Sequence, residues 1–246
     1  MDLLESLKRY NPSSEQLEKI NKLKPINQPD YALEELIVVP IAASNNLIHG
    51  SNGKWSLETL ELITASYGQG GQDLLLDHTW GNSHNSMGMI FDAELWHYPT
   101  VDNAMMDYLL QKSNNEYDRK ILMREGYYQV TLYAAVEDSH PIHSQLRYQR
   151  NSDVSIGGKA NLDYYCPLCS TKTEMVKFRD ERCPHYMPTQ MFLAWYADDV
   201  PPEEKWRIAP YFIEHGWDSS VELSLVTAGD CKQARVINQQ MVEVLC

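Results

Sequence analysis

Residues 35–44, ELIVVPIAAS, are apolar almost without interruption, the continuity expected of a buried strand. Two further segments carry the period-2 signature of half-buried strands. Met89, Phe91, Ala93 and Leu95 alternate with other residues, and YYQVTLYAAV (127–136) reads the same way. DLLLDH (73–78), DVSIGG (153–158), MFLAWYA (191–197), VELSLVT (221–227) and ARVIN (234–238) are short, β-prone and separated by turn-like stretches. Such a chain predicts an α+β fold whose body is a mixed β barrel or sandwich with helices attached.

The helices announce themselves at their ends. Ser13 with Gln16 forms a capping box for a helix carrying Leu17, Ile20 and Leu23 on one side, ended by Pro25. Residues 1–34 therefore read as a helical arm and connector, and 35–246 as the main domain. SNGKWS (51–56) reads as a turn, after which Ser56 caps a helix through Leu60 and Ile63 to a stop at Gly68. Residues 102–125 carry one helical pattern with Met105, Met106, Leu109 and Leu110, predicted to pack over a face of the sheet with the methionine pair in the core.

At 246 residues the length suits one core with elaborations, and the 43% hydrophobic and 22% charged shares are those of an ordinary globular protein. Against 34 Asp and Glu stand 21 Lys and Arg, a net charge of −13 that repels phosphate backbones and anionic lipid. Neither nucleic acid nor membrane is an expected partner. No apolar run approaches the roughly 20 residues that span a bilayer, and Met1 is followed by Asp and Glu instead of a basic, apolar leader, so the reading is soluble and intracellular.

Three of the five cysteines fall in one short segment, which suits reduced thiols on a metal better than a disulfide framework. CPLC (166–169) is followed after thirteen residues by CPH (183–185). Cys166, Cys169, Cys183 and His185 thus offer three thiols and an imidazole, a closed tetrahedral set for a structural zinc. This predicts a small zinc-binding insertion at about 162–190. A redox role for the CxxC is the alternative, and the C-x-H spacing is tight for a ligand pair. Cys231 and Cys246 read as passive thiols.

DVSIGG raises the question of chemistry, because a serine hydroxyl attacks only when a base takes its proton. Ser155 is either ordinary strand filler or a nucleophile. Of eight histidines His78 is the best-placed base, since it ends the apolar LLLD run with Trp80 close by to screen it. His84 is the second choice, and His49, His97, His140 and His143 read as turn or surface residues. Gly157 and Gly158 suit either a close backbone approach to substrate or a β-bulge.

LLLDHTWGNSHNSMGMIFDAEL (74–95) resembles the stretch of tailed-phage prohead proteases in which a histidine closes an apolar strand and a Gly-containing strand follows. DVSIGG resembles the nucleophile strand of that family. VELSLVTAGDCKQARV (221–236) is similar to its acidic residue followed by SLV and a closing alanine. The three blocks stand in the family's order, with the Cys and His cluster between the second and third as in many members.

The resemblance implies a barrel of the herpesvirus-protease type with peripheral helices. It also implies Ser155 as nucleophile, His78 as general base and Glu222 as the group orienting the imidazole. The related herpesvirus assemblins use a second histidine in the third role, which makes His215 the competitor to Glu222.

The function so implied is a serine endopeptidase that processes scaffold and capsid proteins, and itself, during prohead maturation. Its substrates would be scaffold and major capsid protein, with possible self-association, in the host cytoplasm inside the immature phage head. Such an enzyme would be latent, and the N-terminal helix at 13–24 or the acidic loop DDVPPEEKW (198–206) would dock to scaffold or be clipped during activation. The rival from another class is a catalytically inactive, zinc-stabilised assembly protein with a protease-like fold. An esterase using the same serine is a third reading, though no G-x-S-x-G elbow is present.

Overall fold

The computed structural model describes residues 11–49, 53–76, 86–111, 113, 116–141, 153–165, 171–174, 211–226 and 234–237. Helix α1 (Ser14–Leu23) leads into a 3-10 turn (Leu33–Glu35) and strand β1 (Leu36–Asn45). β2 (Gly53–Trp55), α2 (Leu57–Gly68), β3 (Gln72–Leu76) and β4 (Ser86–Tyr98) follow. Then come α3 (Asn103–Leu110), α4 (Glu116–Glu125), β5 (Tyr127–Glu137), β6 (Asp153–Tyr165), β7 (Lys172–Glu174), β8 (Tyr211–Val226) and β9 (Arg235–Val236).

The strands run in the order β8-β3-β4-β5-β1-β9-β6, and β6 pairs back onto β8, which closes a seven-stranded barrel. β3 lies parallel to β8, and the other pairings around the ring are antiparallel. The expected α+β class with a barrel body is what the chain forms.

Alternation explains the interior. Val130, Leu132, Ala134 and Val136 of β5 point inward with Val39 and Ile41 of β1, Leu74 of β3, Val154 of β6 and Leu223 of β8. Helix α2 contributes Leu60, Ile63 and Tyr67 to the same core. The spacing i, i+3, i+7 puts those three on one face. Ser56 caps the helix by accepting from Thr59 N at 3.1 Å, as its position in the sequence predicts. Each fully buried Leu or Ile contributes on the order of 1.5–3 kcal/mol.

The outer face of β5 is covered as well. Ile20 of α1 packs on Leu36, Val38, Phe91 and Ala135, while Met105, Met106 and Leu109 of α3 and Ile121 and Leu122 of α4 pack on Ala42, Tyr127 and Ile237. Under α3 and α4 a polar chain is satisfied internally: Tyr127 donates to Gln129 at 3.0 Å, and Gln129 to Thr131 at 3.0 Å. Gly126, at φ +75°, enters β5 so close to Tyr98 that a Cβ would lie 2.5 Å from its carbonyl oxygen.

The sequence pattern over 102–125 forms two helices instead of one. Ser113 falls between them and donates its hydroxyl to Asp118 of α4. Asp118 also accepts from Ile48 N at 2.9 Å, and burial pushes its carboxyl up to about 6. Lys54 meets Glu125 at 2.6 Å, and burial pulls the ammonium down against that partner's support.

GKW within the expected turn is β2, a three-residue parallel addition beside Phe212–Glu214 of β8. His49, expected at the surface, is buried with its ring 5.9 Å from that of Trp55. Pro40 sits inside β1 opposite Tyr133. Its carbonyl accepts from Ile237 at 2.9 Å, so the missing N–H also faces β9 and the ladder to β5 loses no donor. Among the described residues no helix is long and apolar enough to cross a membrane.

Candidate active site

Ser155 lies three residues into β6. Val154 before it is buried in the core and Ile156 after it packs against that core, so period-2 alternation turns Ser155 outward, where it is half-buried. It stands directly opposite the buried Ser224 of β8, and Gly157 stands opposite Glu222. Opposed residues of an antiparallel pair share a face, so the register aligns Ser155, Ser224 and the backbone positions of Gly157 and Glu222 along one face of the pair. Ser155 and Glu222 are diagonal neighbours, with Cα atoms about 7–8 Å apart.

The third strand comes from β3. Leu76 pairs with Leu225, and Val154 pairs with Leu225 from the other side. The C-terminal end of β3 is thus level with the start of β6, one strand away across β8. His78 comes two residues after that end and lies outside the described residues, as does His84.

His215 is placed elsewhere. It is aligned with Asn161, six residues along β6 from Ser155, a separation of about 20 Å. Its Nε2 is 3.1 Å from Asp163 Oδ1. That imidazole therefore does not reach Ser155, and of the two candidates for the orienting group it is Glu222 whose backbone position the register aligns with the serine's stretch of β6.

The register between β6 and β8 shifts between Gly157 and Lys159. The glycines thus mark an irregularity in the ladder, the local change of pairing that a strand glycine tolerates.

On the other flank of Ser155 stands a pair the sequence did not single out. Arg235 of β9 is opposite Asp153, its Nη2 3.3 Å from Asp153 Oδ1. Ala234 and Val236 point into the core, which turns Arg235 to the outer face with Asp153 and Ser155. Tyr108 of α3 is nearby: burial pushes its phenol up, and the charge of Arg235 pulls the other way. The signal for Arg235 was a cation alternating with apolar residues in a short strand, whereas its pairing depends on a register that one sequence does not display.

Cys166, Cys169, Cys183 and His185 lie outside the described residues, as do Cys231 and Cys246. Among the described residues no group of three or more His, Cys, Asp or Glu is arranged to hold a metal. Tyr165 pairs with Lys172, so β6 and β7 close a hairpin around 166–171, the stretch that holds the first two thiols.

Comparison with protein-family models, with curated proteins and with solved structures finds no match for this chain. The site's own geometry carries the functional argument.

Proposed function

We propose that the chain is a serine endopeptidase of the prohead-maturation type, acting on scaffold and capsid proteins and on itself. The observation that carries this reading is the meeting of the three sequence blocks on adjacent strands. Ser155 on β6 and Glu222 on β8 are diagonal positions of one strand pair, and β3, whose end precedes His78 by two residues, runs beside β8 at the same level. Positions 155 and 222, 67 apart in the chain, lie on neighbouring strands of a barrel whose other wall is packed on both faces.

In the proposed mechanism Ser155 Oγ attacks the scissile carbonyl as His78 takes its proton. Collapse of the tetrahedral intermediate expels the amine, which receives that proton from His78. Water, deprotonated by the same imidazole, then attacks the acyl ester and restores Ser155 on release of the new carboxyl end. Glu222 holds the imidazole tautomer and stabilises its charged form. A zinc held by Cys166, Cys169, Cys183 and His185 would supply structural stability: three thiols and an imidazole suit that metal, and the hairpin ends at Tyr165 and Lys172 frame the first pair.

The test is intact and native mass spectrometry of freshly expressed wild type beside Ser155→Ala, each followed over time. Trimming in wild type alone, with one zinc retained by both, is the expected result. Identical, untrimmed masses would favour the inactive assembly protein.

A further inference from the structure

We propose that Arg235 is the substrate-recognition residue of the Ser155 site, a guanidinium fork that receives the carboxylate of an acidic residue near the scissile bond. This rests on Ser155 acting as the nucleophile. Asp153 pairs with Arg235, and Ser155 is two residues further on the same face, so Arg235 and Ser155 are diagonal neighbours at about 7–8 Å between Cα atoms. An arginine side chain spans that distance.

The guanidinium is underused where it stands. It carries five N–H donors. Nη2 makes one long contact of 3.3 Å to Asp153, and Nε is buried with no acceptor among the described residues. A carboxylate is the acceptor best matched to a planar fork, which takes it with two parallel bonds where a lysine offers a point charge.

The surroundings select for the same chemistry. The side chain is 14% exposed beside an Asp153 side chain that is 33% exposed, so part of the pair meets solvent. Tyr108 lies within electrostatic reach of the guanidinium. On a chain of net charge −13, a cation beside the candidate nucleophile gives an acidic substrate segment a local reason to bind there.

The experiment uses two synthetic peptide pools, identical except that one carries Glu and the other Gln at positions flanking a randomised bond. Cleavage by wild type, Arg235→Ala, Arg235→Lys and Ser155→Ala is read by mass spectrometry, with thermal melts to verify folding. Wild type is expected to cut the Glu pool about 10- to 100-fold faster than the Gln pool in a Ser155-dependent manner, the range of a charge-assisted hydrogen bond. Arg235→Ala should bring the two pools to within about threefold, mainly through KM, and Arg235→Lys should retain part of the preference.

Equal cutting of both pools by wild type, or an equal loss on both in Arg235→Ala with the preference intact, overturns the proposal and leaves Arg235 a structural partner of Asp153. If neither pool is cut, the nucleophile reading fails and fluorescence anisotropy decides for Arg235 separately. Glu-selective binding lost in Arg235→Ala supports recognition, and binding without Glu selectivity overturns it.

Discussion

β5 and β6 cross the same barrel and are finished in opposite ways. β5 is buried on both faces, inward against Leu74 and Leu223 and outward beneath α1 at one end and α3 and α4 at the other. β6 buries Val154 alone among its residues of described exposure, and its outer face carries Asp153 and Ser155, both half-buried, and the exposed Lys159. A barrel needs one apolar face per strand to hold its core. Covering the second face makes a rigid wall, and leaving it bare provides a place where polar side chains stand on strands fixed from behind.

The comparison predicts that substitutions on the β6–β8 patch change chemistry and spare the fold, while those on the β5 wall do the reverse. The largest effect belongs to Glu222→Gln, expected to lower kcat/KM on the order of 10⁴-fold with an unchanged melting curve, as loss of the orienting carboxylate does in a triad. A drop of less than tenfold would remove Glu222 from the mechanism. Leu132→Ala, in the core face of β5, should cost about 2–5 kcal/mol in urea unfolding. A cost below about 1 kcal/mol would mean that β5 is not the supporting wall.

The next effect lies beneath the covered wall, at Asp118. Its carboxyl titrates near 6 in the folded protein against an ordinary value of 3.8, so the folded state holds the proton more tightly. The stability due to that proton is fully present below about pH 3.8 and is lost as pH rises through about 6. Relative to Asp118→Asn, wild type should therefore be more stable at pH 4 than at pH 7, by on the order of 2–3 kcal/mol. Parallel melting profiles across that range would contradict the burial of this carboxyl. The smallest effect is Ser13→Ala: loss of the 3.1 Å cap to Gln16 N should cost about 1 kcal/mol and leave catalysis unchanged.

What a single sequence displayed was set by how local the physics is. The helix 57–68 was legible at both ends because a cap serine and a terminal glycine act on adjacent backbone. The first half of β8 was not, since FIEHGWDSS has neither alternation nor apolar continuity and is a strand because β6 and β2 pair with it. The site divides along the same line. Ser155 and Glu222 were visible as words in a family's order. The removal of His215 and the pairing of Arg235 with Asp153 follow from register, which depends on residues some 60 to 80 positions apart.

The central claim is that the outer patch of β6 carries a nucleophile. Its most direct measurement is labelling of the purified chain with a fluorophosphonate, followed by peptide mapping, in wild type, Ser155→Ala and His78→Ala. A single adduct on the peptide containing Ser155, absent from Ser155→Ala and strongly reduced in His78→Ala, is the predicted result. An adduct on another residue, or none on a protein whose melting curve shows it folded, would contradict it.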